Sequence, residues 1–124
     1  MYYTLTNSQI AFVLEGSEQI LALRAKVRVE KQDITTMKWH ETFSEWSNLM
    51  IRMPGSYLPN WIMAGSYWTD DGWEFVFAKK PRGLIQPVLS SVLVIETRKQ
   101  RYSRLTIETT KQNAKEIIAW WKDK

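Results

Sequence analysis

Residues 60–78 read NWIMAGSYWTDDGWEFVFA. The stretch divides at Thr69-Asp70-Asp71-Gly72 into two apolar runs, Asn60–Trp68 and Trp73–Ala78. Asp-Gly between alternating apolar runs is among the strongest short-range hairpin signals, because a tight reversal needs backbone conformations that these residues tolerate. In the second run Trp73, Phe75 and Phe77 share one face, and Glu74, Val76 and Ala78 share the other. So large an aromatic face must be covered, and the chain on either side supplies the covers.

Downstream, Lys79–Pro87 is a loop bearing Pro and Gly, and Ser91–Glu96 is apolar on both faces. A strand of that kind is central and covered on both sides. Arg98–Arg101 is a basic turn, and in Tyr102–Glu108 the side chains of Leu105 and Ile107 face inward while Arg104, Thr106 and Glu108 face outward. The tail is an amphipathic helix over residues 110–122. Thr109 and Gln112 fit a capping box, and Ala114, Ile117, Ile118 and Trp121 form one apolar stripe. Upstream, Tyr2–Leu5 and Gln9–Leu14 read as strands joined at Asn7-Ser8. Glu18–Leu23 reads as a short helical turn, Arg24–Glu30 as a half-buried strand and Ile34–Glu41 as another. Phe43–Pro59 is the least regular region. The count is seven or eight strands, a helical turn and one C-terminal helix.

The 124 residues suit a single domain spanning 1–124, with 44% apolar and 24% charged side chains. No run approaches the ~20 apolar residues of a membrane span. The Met1–Thr4 start lacks a basic leader, so a cytoplasmic location is expected. Cysteine is absent, which excludes disulfides, thiol catalysis and thiolate zinc sites. Seven Trp, five Tyr and four Phe are many for this length, and most should be packed. Trp46, Tyr57, Trp68 and Trp120 are the aromatics a small core has least room to hide.

Arg52-Met53-Pro54-Gly55-Ser56-Tyr57-Leu58-Pro59-Asn60, followed by Met63-Ala64-Gly65-Ser66-Tyr67, resembles the bacterial PH-like domain family. Val92–Glu96, Arg101-Tyr102 and Leu105–Glu108 are similar to its late strand pair, and the last helix to its closing helix. The resemblance implies a mainly β, PH-like barrel or sandwich of about seven antiparallel strands, in two nearly orthogonal sheets, closed by one C-terminal helix. The family's second Pro-Gly is Pro59-Asn60 here, and Asn tolerates the positive φ such a turn requires. Ser56 and Ser66 stand where the family more often has Thr. Phosphoinositide-binding PH domains carry basic residues near the first strand–strand loop. Here that stretch is Glu15-Gly16-Ser17-Glu18, so the resemblance does not bring lipid binding with it.

No catalytic, cofactor or metal residues are expected. His40 is the only histidine, and in a strand it faces away from Glu41, leaving Trp39-His40-Glu41 and Glu45 short of a metal or acid–base set. No phosphate-binding glycine motif or nucleophile elbow occurs. Arg52, Pro54, Gly55, Asn60 and Gly65 are read as structural. Pro54 and Gly55 redirect the chain, Gly65 allows a bulge or close backbone approach, and Arg52 is left a carbonyl or a distant carboxylate such as Glu74 or Glu96 as partner; the competing reading is that Arg52 and the loop amides grip an anion.

Charge is distributed unevenly. Residues 1–78 hold six Lys/Arg against nine Asp/Glu, whereas 79–124 hold eleven against four. Lys79, Lys80, Arg82, Arg98, Lys99 and Arg101 are therefore the candidate surface for an anion or a partner. Trp73, Phe75 and Phe77 could stack nucleobases, yet Asp70, Asp71 and Glu74 flank them and burial explains them better. The leading expectation is a non-enzymatic interaction module that binds a protein partner or assembles with its own copies. The alternative is weak binding of acidic lipid or nucleic acid through the basic third.

Overall fold

The computed structural model describes residues 1–17, 22, 26–46, 55–58, 60–69, 71–83 and 87–123, with 55–58 described by their backbone alone. The helical turn expected over Glu18–Leu23 lies, Ala22 apart, outside these residues, as do Arg52 and Pro54.

The first three strands, β1 (Tyr2–Leu5), β2 (Gln9–Val13) and β3 (Lys26–Glu30), form an antiparallel sheet in sequence order. A 3-10 turn at Lys31–Asp33 then leads into β4 (Ile34–Phe43). The second sheet adds β5 (Gly55–Leu58), β6 (Ile62–Thr69), β7 (Gly72–Lys79), β8 (Leu89–Thr97) and β9 (Arg104–Glu108), in the order β4-β8-β9-β7-β6-β5. The C-terminal helix, α1, runs over Lys111–Lys122. No described segment of 18 residues or more is a helix apolar enough to cross a membrane.

The chain is thus mainly β, with two sheets and one C-terminal helix. Nine strands are described where about seven were expected, and they are not all antiparallel. β7 pairs with β9 in parallel, Glu74 with Arg104 through Phe77 with Ile107. The reason lies in the connection: β8 returns antiparallel on the far side of β9, which leaves β9 aligned with β7. Among the described residues no ladder joins the two sheets, so no closed barrel is formed.

The hairpin turn forms where Asp-Gly placed it, with Thr69 opposite Gly72 and φ 109° at Gly72. Both faces of the larger sheet are buried along β6, β7, β8 and β9. On the inner face Phe75, Phe77, Leu93, Ile95, Leu105 and Ile107 pack with Ile10, Phe12 and Val27 of the smaller sheet and with Ala114 and Ile117 of α1. On the outer face Met63, Tyr67, Val76, Ala78, Val92 and Val94 pack with Phe43 and Trp46. Full burial of each large apolar side chain contributes about 1.5–3 kcal/mol, so this double-sided sheet is the main source of stability.

α1 starts one residue later than its capping box suggested. Thr109, just past β9, is still tied to the sheet, its N–H donating to Ser91 O and its carbonyl accepting from Trp39 Nε1 at 3.0 Å. Thr110 takes the capping role, its hydroxyl accepting from Asn113 N at 3.1 Å. The helix then lies along β1: Tyr3 donates to Glu116 Oε1 at 3.0 Å and Trp120 Nε1 donates to Thr6 O at 2.6 Å. Trp46 and Trp120 therefore leave the list of surplus aromatics, the first buried and the second half-buried and hydrogen-bonded. The side chain of Tyr57 lies outside the described residues.

Candidate functional site

The two basic stretches of the last third do not share a face. Lys79 closes β7, whereas the Arg98–Arg101 turn precedes β9, which starts beside the start of β7. An eight-residue strand spans roughly 25 Å, so the stretches sit at opposite ends of the large sheet. Of the candidate basic residues, the structure brings Lys79, Lys80 and Arg82 together at one end and places Arg98, Lys99 and Arg101 at the other.

At the first end, Lys79, Lys80 and Arg82 line an open cleft of about 1070 Å³. Ser90, Ser91 and the start of α1 at Thr110 and Asn113 form a second, hydroxyl- and amide-bearing wall. Met1, Tyr2 and Tyr3 border the cleft from the smaller sheet, and Phe77 and Asn60 also reach it. Burial, then the Glu116 carboxylate that accepts its proton, holds the Tyr3 phenol above its ordinary value of 10.0.

Main-chain bonds fix the basic stretch. Asn60 N donates to Pro81 O at 2.7 Å and Lys80 N to Trp61 O at 2.8 Å, which ties the two turns together. Lys79 N donates to Glu108 Oε1 at 2.9 Å, and Arg82 and Val88 exchange both backbone bonds. Asn60, Lys80 and Ser91 all adopt positive φ, at 66°, 52° and 56°. Such backbone is costly for side-chain-bearing residues and persists only where surrounding bonds enforce it. The Asn60 turn thus forms as the sequence indicated. With the backbone polar groups engaged, the Lys79 and Lys80 side chains are exposed at the cleft.

The other end is arranged differently. Arg98 and Lys99 share a shallow hollow with Asp33, whose backbone carbonyl accepts from Arg98 N and whose carboxylate accepts from Gln100 Nε2. Arg101 lies over the Tyr102 ring at 5.8 Å. Arg104 turns inward. Its Nε donates to Glu74 Oε1 at 2.9 Å, and Nη2 lies equally close but outside hydrogen-bond alignment. The Thr69 hydroxyl stands 3.0 Å from the other Glu74 oxygen, and the guanidinium sits 5.3 Å from the Phe43 ring and 5.6 Å from the Trp46 ring. Burial pushes the Glu74 carboxyl above its ordinary range, against the opposing pull of Arg104 and Thr69. Thr106, two residues along β9 on the same face, is also buried, so neither it nor Arg104 faces outward as the alternation suggested; its hydroxyl has no hydrogen-bond partner among the described residues.

The structural residues can be placed as well. Gly65 has φ 129° and lies opposite Gly55, a backbone approach without intervening side chains. Gly55 opens β5, and Pro54, with the change of direction expected there, lies outside the described residues. Glu74 accepts from Arg104 and Glu96 from the Thr36 hydroxyl at 2.9 Å, while Arg52, the partner considered for both, lies outside the described residues. His40 packs on the Phe43 ring, centroids 5.2 Å apart, while Glu41 is exposed. Among the described residues no group of three His, Asp or Glu is placed to hold a metal.

Sequence reasoning missed Met1–Tyr3, Ser90, Ser91, Glu108 and Asn113 as cleft residues, and Trp61 beside them. Their common location follows from strand order, for which the sequence carries no local signal. No protein-family model matches this sequence, and no curated protein or solved structure matches the chain.

Proposed function

We propose that the chain is a non-enzymatic protein-binding module and that its cleft takes an extended acidic segment of a partner. The convergence of Lys79, Lys80 and Arg82 on a cleft otherwise lined largely by Ser, Thr, Asn and Tyr carries this reading. The lysines and arginine supply complementary charge, and the hydroxyls and amides can pair with a backbone that brings its own donors and acceptors. Glu108 marks the limit of the basic zone, since its carboxylate is held by the Lys79 amide. The proposal places the module in the cytoplasm. It keeps the PH-like relationship as a reading supported by the Arg52–Asn60 and Met63–Tyr67 residues and by two packed sheets with a terminal helix.

Fluorescence anisotropy with a labelled peptide of alternating Glu and Ser tests the function. Binding is expected at low salt and should weaken steeply as salt rises. Lys79→Glu combined with Lys80→Glu should raise Kd at least tenfold, ~1.4 kcal/mol, with the fold intact by circular dichroism. Equal binding by this variant, or no binding by the wild type at low salt, would overturn the proposal. Self-association is the second form of a protein-binding function, and native mass spectrometry across concentration separates it from binding of a foreign segment.

A further inference from the structure

Three large apolar side chains stand out from the described surface: Trp61 at 61% exposure, Tyr2 at 50% and Trp68 at 42%. Trp68 has a partner, packing edge-on against Trp73 across the β6–β7 hairpin with centroids 5.3 Å apart. It also lies at the hairpin-turn end of the sheet, away from the cleft. Trp61 is different. It follows Asn60, a cleft residue, and its carbonyl holds Lys80, another. The paired bonds Asn60 N to Pro81 O and Lys80 N to Trp61 O fix the turn that carries it. The indole is presented from a set backbone, so binding through it forfeits little chain entropy. A fixed, exposed Trp beside Lys and Arg has the composition of an interface hot spot.

Resting on the reading of the cleft as the seat of an acidic segment, we infer that Trp61 is the apolar anchor of the same interface, and that the partner segment carries an aromatic or aliphatic side chain next to its acidic residues. Trp with Lys and Arg also suits the interface of an anionic bilayer. The shape favours a peptide. The three cations line a concavity with Ser90, Ser91 and Asn113, which an extended chain can enter and a flat bilayer would have to deform to reach.

Two labelled peptides of equal length and charge provide the test, one of Glu and Ser only, the other with a single Ser beside the Glu residues replaced by Phe. The Phe peptide should bind the wild type about tenfold more tightly. That advantage should vanish in Trp61→Ala and in Trp61→Gln, each variant binding the Phe peptide and the Glu/Ser peptide with equal affinity. Equal affinity of the wild type for the two peptides overturns the inference without touching the cleft proposal, and this comparison needs no variant to fold. A preference for Phe that survives in both Trp61 variants overturns it too. If neither peptide binds at low salt, both readings fail together. Sedimentation of the protein with phosphatidylserine-containing vesicles, in the absence of peptide binding, would assign the surface to a membrane and also overturn the inference.

Discussion

The two ends of the six-stranded sheet draw on the same basic third of the chain and treat it in opposite ways. At the Lys79 end, main-chain bonds hold the backbone and the cationic side chains line an open cleft. At the Arg104 end, one half-buried cation is paired with the buried Glu74, and Arg98 and Lys99 sit beside Asp33. Charge density along the sequence was similar in both stretches. What separates them is what the carboxylates face, Glu74 and Asp33 lying beside the cations of one end while Glu108 at the cleft accepts from the Lys79 amide, together with the parallel β7–β9 pairing that sets the ends apart. Surface potential follows topology as much as composition.

The difference can be broken first at the buried pair. Replacing Arg104 by Ala leaves Glu74 uncompensated in an apolar surround, and removing one partner of a buried ion pair costs about 3–5 kcal/mol. Urea denaturation should show that loss. Replacing both residues by apolar ones, Glu74→Leu with Arg104→Met, should recover most of it, because no charge is then left buried. A single variant as stable as the wild type would mean that the pair is solvated in solution.

The same pair should respond to pH. The folded carboxyl of Glu74 titrates above its ordinary 4.5, chiefly through burial. The folded state therefore holds this proton more tightly than the unfolded chain. The stability it contributes is complete below the unfolded value and is lost as pH rises through the folded one. Measured between pH 4 and pH 7, the stability of the wild type relative to Glu74→Gln should decline with rising pH. A rising difference would show that Arg104 outweighs burial.

How far the sequence could foresee these two ends depends on the range of the interactions involved. The Asp71-Gly72 turn, the two-faced Leu89–Thr97 strand and the α1 stripe at Ala114 and Ile117 are local patterns, and each formed. The turn at Asn60 was legible for the same reason, since Asn tolerates positive φ. Strand β5 was hidden because Gly55-Ser56-Tyr57-Leu58 has neither clear alternation nor β-branched residues. The Glu74–Arg104 pair joins residues 30 apart in sequence through a parallel ladder, and nothing near either residue announces the other. The cleft was half legible: Lys79, Lys80 and Arg82 are contiguous, whereas Tyr2, Ser90 and Asn113 reach it only through packing.

The cleft end can be sharpened through its backbone. Asn60 pays for its left-handed conformation less than Ala would, and the αL penalty for an ordinary residue is roughly 1–2 kcal/mol. Asn60→Ala should lower stability by about 1 kcal/mol and weaken the acidic peptide a few-fold, because the turn that braces Lys80 and Trp61 loosens. Asn60→Gly should keep both properties, since glycine adopts this backbone freely. Thermal melts and peptide anisotropy on the two variants distinguish a conformational role from a side-chain contact. If Gly and Ala lose binding equally, the Asn60 amide itself touches the peptide.

The smallest effect is expected at the Arg98–Arg101 turn, and its smallness is informative. Removing its three cations together, as Arg98→Gln, Lys99→Asn and Arg101→Gln, lowers the net charge from +4 to +1. Asn suits position 99 because Lys99 has φ 58°. Away from packed features such surface changes move stability by about 0.5 kcal/mol or less. The turn lies roughly a strand length from the cleft, ~25 Å, while charges in physiological salt are screened over ~8 Å. A peptide seated at Lys79, Lys80 and Arg82 should therefore bind this variant with a Kd within twofold of the wild type at physiological salt. Only at low salt, where screening reaches ~30 Å, should the two separate. Weakening at physiological salt comparable to that of the Lys79 and Lys80 reversal would mean that the peptide follows net charge and not the cleft.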